Sequence, residues 1–262
     1  MLKQRVITAS ILIPPVFVCL YYGGAYLSIL GALLFLIINF EFLAFSTKLS
    51  KKRVCEFVFA SSLIPVGYLY NGFTGVLWGL LIAFLAYANL LVWLSNRQAE
   101  HFERTKVIPA AFISLLYTGL LGSIPFIASR QDGGNMILTW VLLVVIAADT
   151  FAYFGGRSIG GKKLAPLISP NKTISGAVCG MLGAGLVAYL ARDLVPMLST
   201  AWECFAIGLI AAYMAVLGDL FESLMKRIYD VKDSGSLLPG HGGLLDRVDG
   251  FIFASVLVFE LI

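Results

Sequence analysis

Charge is scarce in this chain. Only 34 of its 262 residues are charged, 13%, where a soluble domain carries about 25%. Histidine occurs twice and cysteine four times. Cys19, Cys55, Cys179 and Cys204 are scattered among apolar neighbours without a C-x-x-C pair, so spacing offers neither a zinc site nor a redox site. They read as small packing residues. No basic recognition helix and no aromatic-rich soluble module is present, which argues against a nucleic-acid partner. What fills the chain is apolar: 59% of it is hydrophobic, with a mean hydropathy of +0.90.

Apolar runs fall near 6–22, 25–46, 54–70, 74–95, 107–128, 135–156, 174–191, 202–225 and 250–262. About 20 apolar residues cross a bilayer as a helix. The expected fold class is therefore an all-α integral membrane protein, a polytopic bundle of about nine transmembrane helices. The first run follows Lys3 and Arg5 without a cleavage site leading into a polar stretch, and reads as a retained span. The last run is short, so its helix should begin earlier, near Leu244, or the C-terminus is clipped.

Placed on these spans, 17 of the 19 basic residues fall on one side, with only Arg130 and Arg192 on the other. Basic loops stay cytoplasmic. Residues 1–130 hold about five spans and no catalytic motif. Residues 131–262 form the expected catalytic region, with cytoplasmic loops 157–173 and 226–249. A face this basic attracts anionic headgroups and nucleotides.

Ten of the 34 charged residues crowd into residues 218–250, GDLFESLMKRIYDVKDSGSLLPGHGGLLDRVDG. Charge at membrane depth is costly and marks a functional site. Asp219 and Glu222 are spaced i, i+3, and Lys226 lies four residues beyond Glu222, so the three share a helix face. Asp246 and Asp249 repeat the i, i+3 spacing at the start of the next helix, where the dipole favours carboxylates. A Gly-rich basic loop containing Lys232, Asp233 and His241 joins them. Carboxylate oxygens bind hard cations such as Mg²⁺, Lys and Arg bind phosphate, and Gly admits close backbone approach. An ion-pair ladder alone would not account for the loop that follows it.

A second polar stretch runs from Asp149 to Gly176. Gly156-x₄-Gly161-Lys162 approaches a Walker A loop, but Lys163 stands where Ser or Thr is required and the loop leaves a membrane helix, not a strand. It still reads as a phosphate cradle. Residues Ser169 to Thr173 fit a helix N-cap, and that helix end fits an anion.

Ser223-x-x-Lys226-Arg227, Lys232-Asp233, Pro239-Gly240-His241-Gly242-Gly243 and Asp246-Arg247-x-Asp249 together resemble the signature of the CDP-diacylglycerol synthases, or phosphatidate cytidylyltransferases. Ser169-Pro170-x-Lys172-x-x-Ser175-Gly176 resembles that family's second region. The resemblance implies transfer of CMP from CTP to phosphatidic acid, with release of pyrophosphate, at the cytoplasmic face of the membrane. It further implies Mg²⁺, a monovalent cation such as K⁺ sharing the acidic centre, and a homodimer. By position, Asp219 and Asp246 would be metal carboxylates, with Asp249 and Asp149 in support. Lys172, Ser175, Lys226, Arg227 and Lys232 would contact phosphate or nucleotide, and Ser223, Asp233 and Arg247 belong to the same substrate-binding signature. A phosphate nucleophile is already ionised, so His241 fits a positioning or hydrogen-bonding role better than that of a base. A transporter would spread polar residues through several spans, whereas here charge gathers at one face. The D-G-x₂-A-R signature of CDP-alcohol phosphotransferases is absent.

Overall fold

The computed structural model describes residues 2–96, 103–198, 200–240 and 242–261. His101 and His241 lie outside them. The chain is nearly all helix: α1 (Leu2–Tyr22), α2 (Gly24–Thr47), α3 (Lys51–Ser61), α4 (Leu63–Asn96), α5 (Arg104–Ser114), α6 (Gly122–Ala128), α7 (Gly134–Ile159), α8 (Ile174–Leu190), α9 (Ala201–Ile228) and α10 (Leu245–Leu261). One departure from the all-α expectation is a small antiparallel hairpin, β1 (Lys163–Ala165) with β2 (Ser169–Thr173), pairing Lys163 with Thr173 and Ala165 with Ser169. The start of α10 at Leu245 agrees with the earlier beginning expected for the last helix.

Among the described residues, five helical stretches are long and apolar enough to cross a membrane: Gly24–Thr47, Lys51–Asn96, Arg104–Ala128, Gly134–Ile159 and Ala201–Ile228. Ser10–Tyr22 and Ile174–Leu190 are shorter apolar helices. This is a membrane protein. The 46-residue stretch Lys51–Asn96 is not one rod. Asn71 (φ −148°) and Gly72 (φ 54°) leave the helical conformation, and α4 doubles back on itself there. Gly67, Gly75 and Gly79 line the seam: a methyl at Gly75 would lie 1.9 Å from the Gly67 carbonyl oxygen, and one at Gly79 would lie 2.2 Å from that of Leu63. Small residues permit this approach where no hydrophobic force drives helices together.

Arg104–Ala128 is continuous but irregular. A π-helical segment, Leu115–Leu121, links α5 to α6. Widened turns of this kind leave carbonyls to be satisfied from elsewhere. Buried Asn39 of α2 does so, donating through Nδ2 to the Thr118 carbonyl at 2.8 Å and accepting from Thr118 Oγ1 at 3.0 Å.

Two buried clusters divide the bundle. One joins α2 to α6 around Phe57, Tyr87 and Ile127. The other joins α7 to α10 around Trp140, Val144 and Ala211. A third, with Ile38 and Phe42 of α2, Tyr117, Met225 of α9 and Ile252 of α10, fastens the halves together. The glycine stripe of α8 packs on α7: methyls at Gly176 and Gly180 would reach 2.8 and 2.7 Å from the carbonyls of Ala152 and Ala148. Gly218 does the same for α9 and α10, where a methyl would lie 2.6 Å from the Asp249 carbonyl. These seams draw α7, α8, α9 and α10 close enough for short polar side chains to meet.

Long-range contacts sort the loops into two ends. Thr8 meets Pro239 at 3.0 Å, Tyr229 meets the Lys106 carbonyl at 3.5 Å, and Arg227 meets the Ile168 carbonyl at 3.4 Å. At the opposite end Asn135 meets the Leu20 carbonyl at 3.2 Å and Gln131 meets Tyr68 at 2.6 Å.

Candidate active site

Helix α9 is the spine of the polar cluster. Its N-terminus is closed by a capping box between Thr200 and Glu203, and its last turns present Asp219, Glu222, Ser223 and Lys226. Lys226 Nζ lies 2.5 Å from Glu222 Oε2 and 2.6 Å from Asp246 Oδ1. All three groups are nearly removed from solvent, with side chains 12%, 1% and 9% exposed. Burial on this scale is tolerable only for paired charges.

Asp246 also organises the loop that precedes it. Its Oδ2 accepts from the Ser234 amide and hydroxyl, both at 3.0 Å, and from the Gly243 amide at 2.8 Å. Asp246 stands in the first turn of α10, ahead of the apolar run that starts at residue 250. Burial pushes its carboxyl up, but the Lys226 ammonium and the Gly243 amide outweigh that and hold it below the usual carboxylate value. Gly242 has φ +87°, and a methyl there would come within 2.7 Å of Asp246 Oδ2. The loop thus needs glycine for both its conformation and its proximity to the carboxylate.

Asp219 pairs with Lys172 at the end of the hairpin and accepts from Ser223 Oγ at 3.3 Å. Asp249 lies within electrostatic reach of Asp219, Lys172 and Lys226. Beside Lys172 opens a cavity of about 670 Å³, whose polar lining includes Asp149, Arg157, Lys163, Asn171 and Lys172. Ligand sites typically occupy about 300–1,000 Å³. Gly160 (φ +66°) and Gly161 (φ +101°) turn the chain out of α7 into this lining.

The structure therefore gathers Asp149, Lys172, Asp219, Ser223, Lys226, Asp246 and Asp249 at one end of α7, α9 and α10. Ser175 instead turns back onto the Gly160 carbonyl. The cap of α8 is Thr173, whose Oγ1 accepts from the Gly176 amide at 3.1 Å. Arg227 is exposed and holds the hairpin through the Ile168 carbonyl. Lys232, Asp233 and Arg247 stand exposed on the rim. His241, at the loop tip, lies outside the described residues.

Sequence reasoning passed over Glu41. This α2 carboxylate, 6% exposed, accepts from the amides of Leu244 at 3.0 Å and Leu245 at 2.8 Å. Ser234 Oγ lies 3.4 Å from it. The available signal was a carboxylate inside an apolar run, itself a marker of function. Tyr117 was also missed. Its ring lies 5.0 Å from that of Phe221 and 5.8 Å from that of Phe253, between the cluster and the core.

The donor set of the cluster is made of carboxylate oxygens. Among the described residues, no group of three or more His, Cys, Asp or Glu is disposed around a common metal position. Magnesium, however, takes only one or two protein carboxylates and completes its shell with water and phosphate. Asp219 and Asp246 offer carboxylate oxygens of that kind, paired in this structure with Lys172 and with Lys226, Ser234 and Gly243 respectively.

A membrane-embedded helical bundle with a basic cavity opening beside buried carboxylates defines a class of enzyme that handles phosphates at a bilayer edge. A model described as the cytidylyltransferase family matches residues 3–262, and the chain belongs to that family. It is similar to the phosphatidate cytidylyltransferase of Brucella suis biovar 1, with 35% identity over 98% of this chain and 92% of the relative. The Thermotoga maritima phosphatidate cytidylyltransferase is 32% identical over 100% of this chain and 97% of its own length. That of Staphylococcus haemolyticus is 42% identical over 60% of each.

Proposed function

We infer that this chain is a phosphatidate cytidylyltransferase, a nucleotidyltransferase that moves CMP from CTP to phosphatidic acid to give CDP-diacylglycerol and pyrophosphate. The observation that carries the reading is the Lys172–Asp219 pair, which joins a basic nucleotide-sized cavity to a carboxylate cluster at the end of a membrane bundle. A phosphate oxygen of phosphatidic acid attacks the α-phosphorus of CTP, a new P–O bond forms, and the bond to pyrophosphate breaks. Both reactants are anions, so their mutual repulsion is the main obstacle. Arg157, Lys163 and Lys172 offset it along the triphosphate, and the exposed Arg227 and Lys232 offset it on the lipid side. The bundle end fixes the depth of the lipid headgroup, which reduces what is lost to orientation.

Asp219 and Asp246 would hold Mg²⁺, with Asp249 and Asp149 in support and a K⁺ ion as a second occupant of the same acidic centre. Bound there, the divalent ion would stabilise charge developing on the phosphates. Ser223, Asp233 and Arg247 border the substrate path. His241, flanked by glycines, is assigned a hydrogen-bonding role.

The proposal includes nine membrane crossings. The reversal at Asn71 and Gly72 supports counting residues 51–70 and 72–96 separately; α1 and α8 supply two shorter spans, and α10 is counted as the ninth. It places the basic loops and the active site on the cytoplasmic face. The catalytic region is residues 131–262, resting on 1–130, and the working unit is a homodimer.

Radiolabelled CTP, Mg²⁺ and phosphatidic acid, given to the purified protein in liposomes, should yield labelled lipid and pyrophosphate only when all three are present. Label transfer to a different lipid phosphate, with none to phosphatidic acid, would reassign the acceptor. No transfer to any acceptor would overturn the reading.

A further inference from the structure

We propose that Glu41 is a positioning residue for this reaction, setting the first turn of α10 and with it Asp246 and Asp249. The proposal rests on the cytidylyltransferase reading of the site. The first amides of any helix lack acceptors within it. At the start of α10 two neighbouring amides, Leu244 just before the helix and Leu245 at its first position, are taken by a carboxylate from α2, some 200 residues away in sequence: Leu244 at 3.0 Å on Oε1 and Leu245 at 2.8 Å on Oε2.

This bidentate grip fixes both the height of the helix end and its rotation. Asp246 is one residue beyond the gripped pair, and Asp249 is one turn further on the same helix. Ser234, whose hydroxyl lies between Glu41 Oε2 at 3.4 Å and Asp246 Oδ2 at 3.0 Å, ties the same carboxylate to the loop. Two glycines leave room for it. A methyl at Gly235 would lie 2.8 Å from Glu41 Oε1, and one at Gly243 would lie 2.8 Å from Oε2. The half of the chain without a catalytic motif thus reaches the carboxylate-bearing end of α10 through the Glu41 side chain.

The geometry makes Glu41→Gln the decisive variant. It keeps the size of the side chain, but its amide nitrogen would confront one of the two backbone N–H groups, so one grip is lost. Glu41→Asp keeps both oxygens but draws them back by roughly one bond, about 1.5 Å. A 1 Å misplacement of reacting groups costs on the order of 100-fold in rate.

The experiment measures kcat and KM for CTP on full-length wild type, Glu41→Gln and Glu41→Asp in liposomes. Thermal unfolding and amide hydrogen exchange of residues 244–249 are followed on the same preparations. For Glu41→Gln the expected result is a kcat lowered about 10- to 100-fold, a KM for CTP nearly unchanged, and faster exchange at Leu244 and Leu245. Glu41→Asp should fall between that variant and wild type. The unfolding midpoint should fall modestly, by the one buried hydrogen bond lost, while the rest of α2 keeps its packing. A kcat per folded molecule equal to wild type, or unchanged exchange at 244–249, overturns the role of Glu41. An inactive wild type would instead overturn the activity on which the role depends.

Discussion

Lys226 bridges α9 and α10, with its Nζ 2.6 Å from Asp246 Oδ1. The same ammonium lies 2.5 Å from Glu222 Oε2, one turn back on α9. Removing it would strand two buried carboxylates. Lys226→Met should therefore destabilise the protein by about 3 kcal/mol, the usual cost of breaking a buried pair from one side, as well as abolish turnover. Thermal unfolding in detergent would measure it, and adding Glu222→Gln should recover part of the loss. A Lys226→Met protein as stable as wild type would refute the pairing.

Asp219 and Asp246 should both be essential but for separable reasons. Asp219 is held by Lys172 and one long serine contact. Asp246 accepts three hydrogen bonds from the 234–243 loop. Asp219→Asn should abolish turnover with little change in the unfolding midpoint, with the protein still inserted in the membrane. Asp246→Asn should lose both turnover and stability, by about 1–3 kcal/mol for the weakened network. Near-normal activity in either variant would remove it from the proposed metal centre.

Stability should fall on acidification in a way traceable to Asp246. Its folded carboxyl titrates below the ordinary value, which is about 3.9. The stabilisation it supplies is thus complete above that ordinary value and is lost as pH falls through the lower folded one. Unfolding midpoints measured from pH 7 to pH 3 should drop less steeply in Asp246→Asn. An identical slope in the two proteins would contradict the assignment.

Gly243 tests the loop as a packed object. A methyl there would lie 2.0 Å from Ser234 Oγ and 2.8 Å from Glu41 Oε2, so Gly243→Ala should displace the hydroxyl that donates to Asp246 and the carboxylate that grips α10, and lower kcat strongly. Gly133→Ala is the control: its backbone is left-handed, φ +73°, unlike that of Gly243, and it has open space around it at the opposite end of the bundle. It should cost about 1–2 kcal/mol of stability and leave turnover per folded molecule unchanged. Assays normalised to folded protein separate the two effects.

Much of the site could be read from spacing alone. Asp219, Glu222 and Lys226 share a face because helical periodicity dictates it, and the cluster of charge in an apolar chain marks its own importance. Membrane class follows from hydropathy, because a bilayer demands long apolar helices. Three things were not legible. The pairing of Lys172 with Asp219 joins residues 47 apart, and no local pattern encodes a contact made by a hairpin folding over a helix. The hairpin itself is hidden because four polar residues and a proline before a helix look like a cap and linker. The reversal inside α4 looks like a loop in sequence, and only the glycine seam explains how its arms lie so close.

By itself the sequence determined that this protein lives in a membrane, that its charge gathers at one end, and which carboxylates and cations crowd together there. Those properties are local, set by composition, period and side-chain type. The tertiary structure alone decided which cation faces which carboxylate, that Asp246 is tied to its loop as well as to Lys226, and that Glu41 of α2 holds the end of α10. Those are distances between segments far apart in the chain. They are fixed by where glycine seams let helices approach and by the need of every buried charge and helix end for a partner.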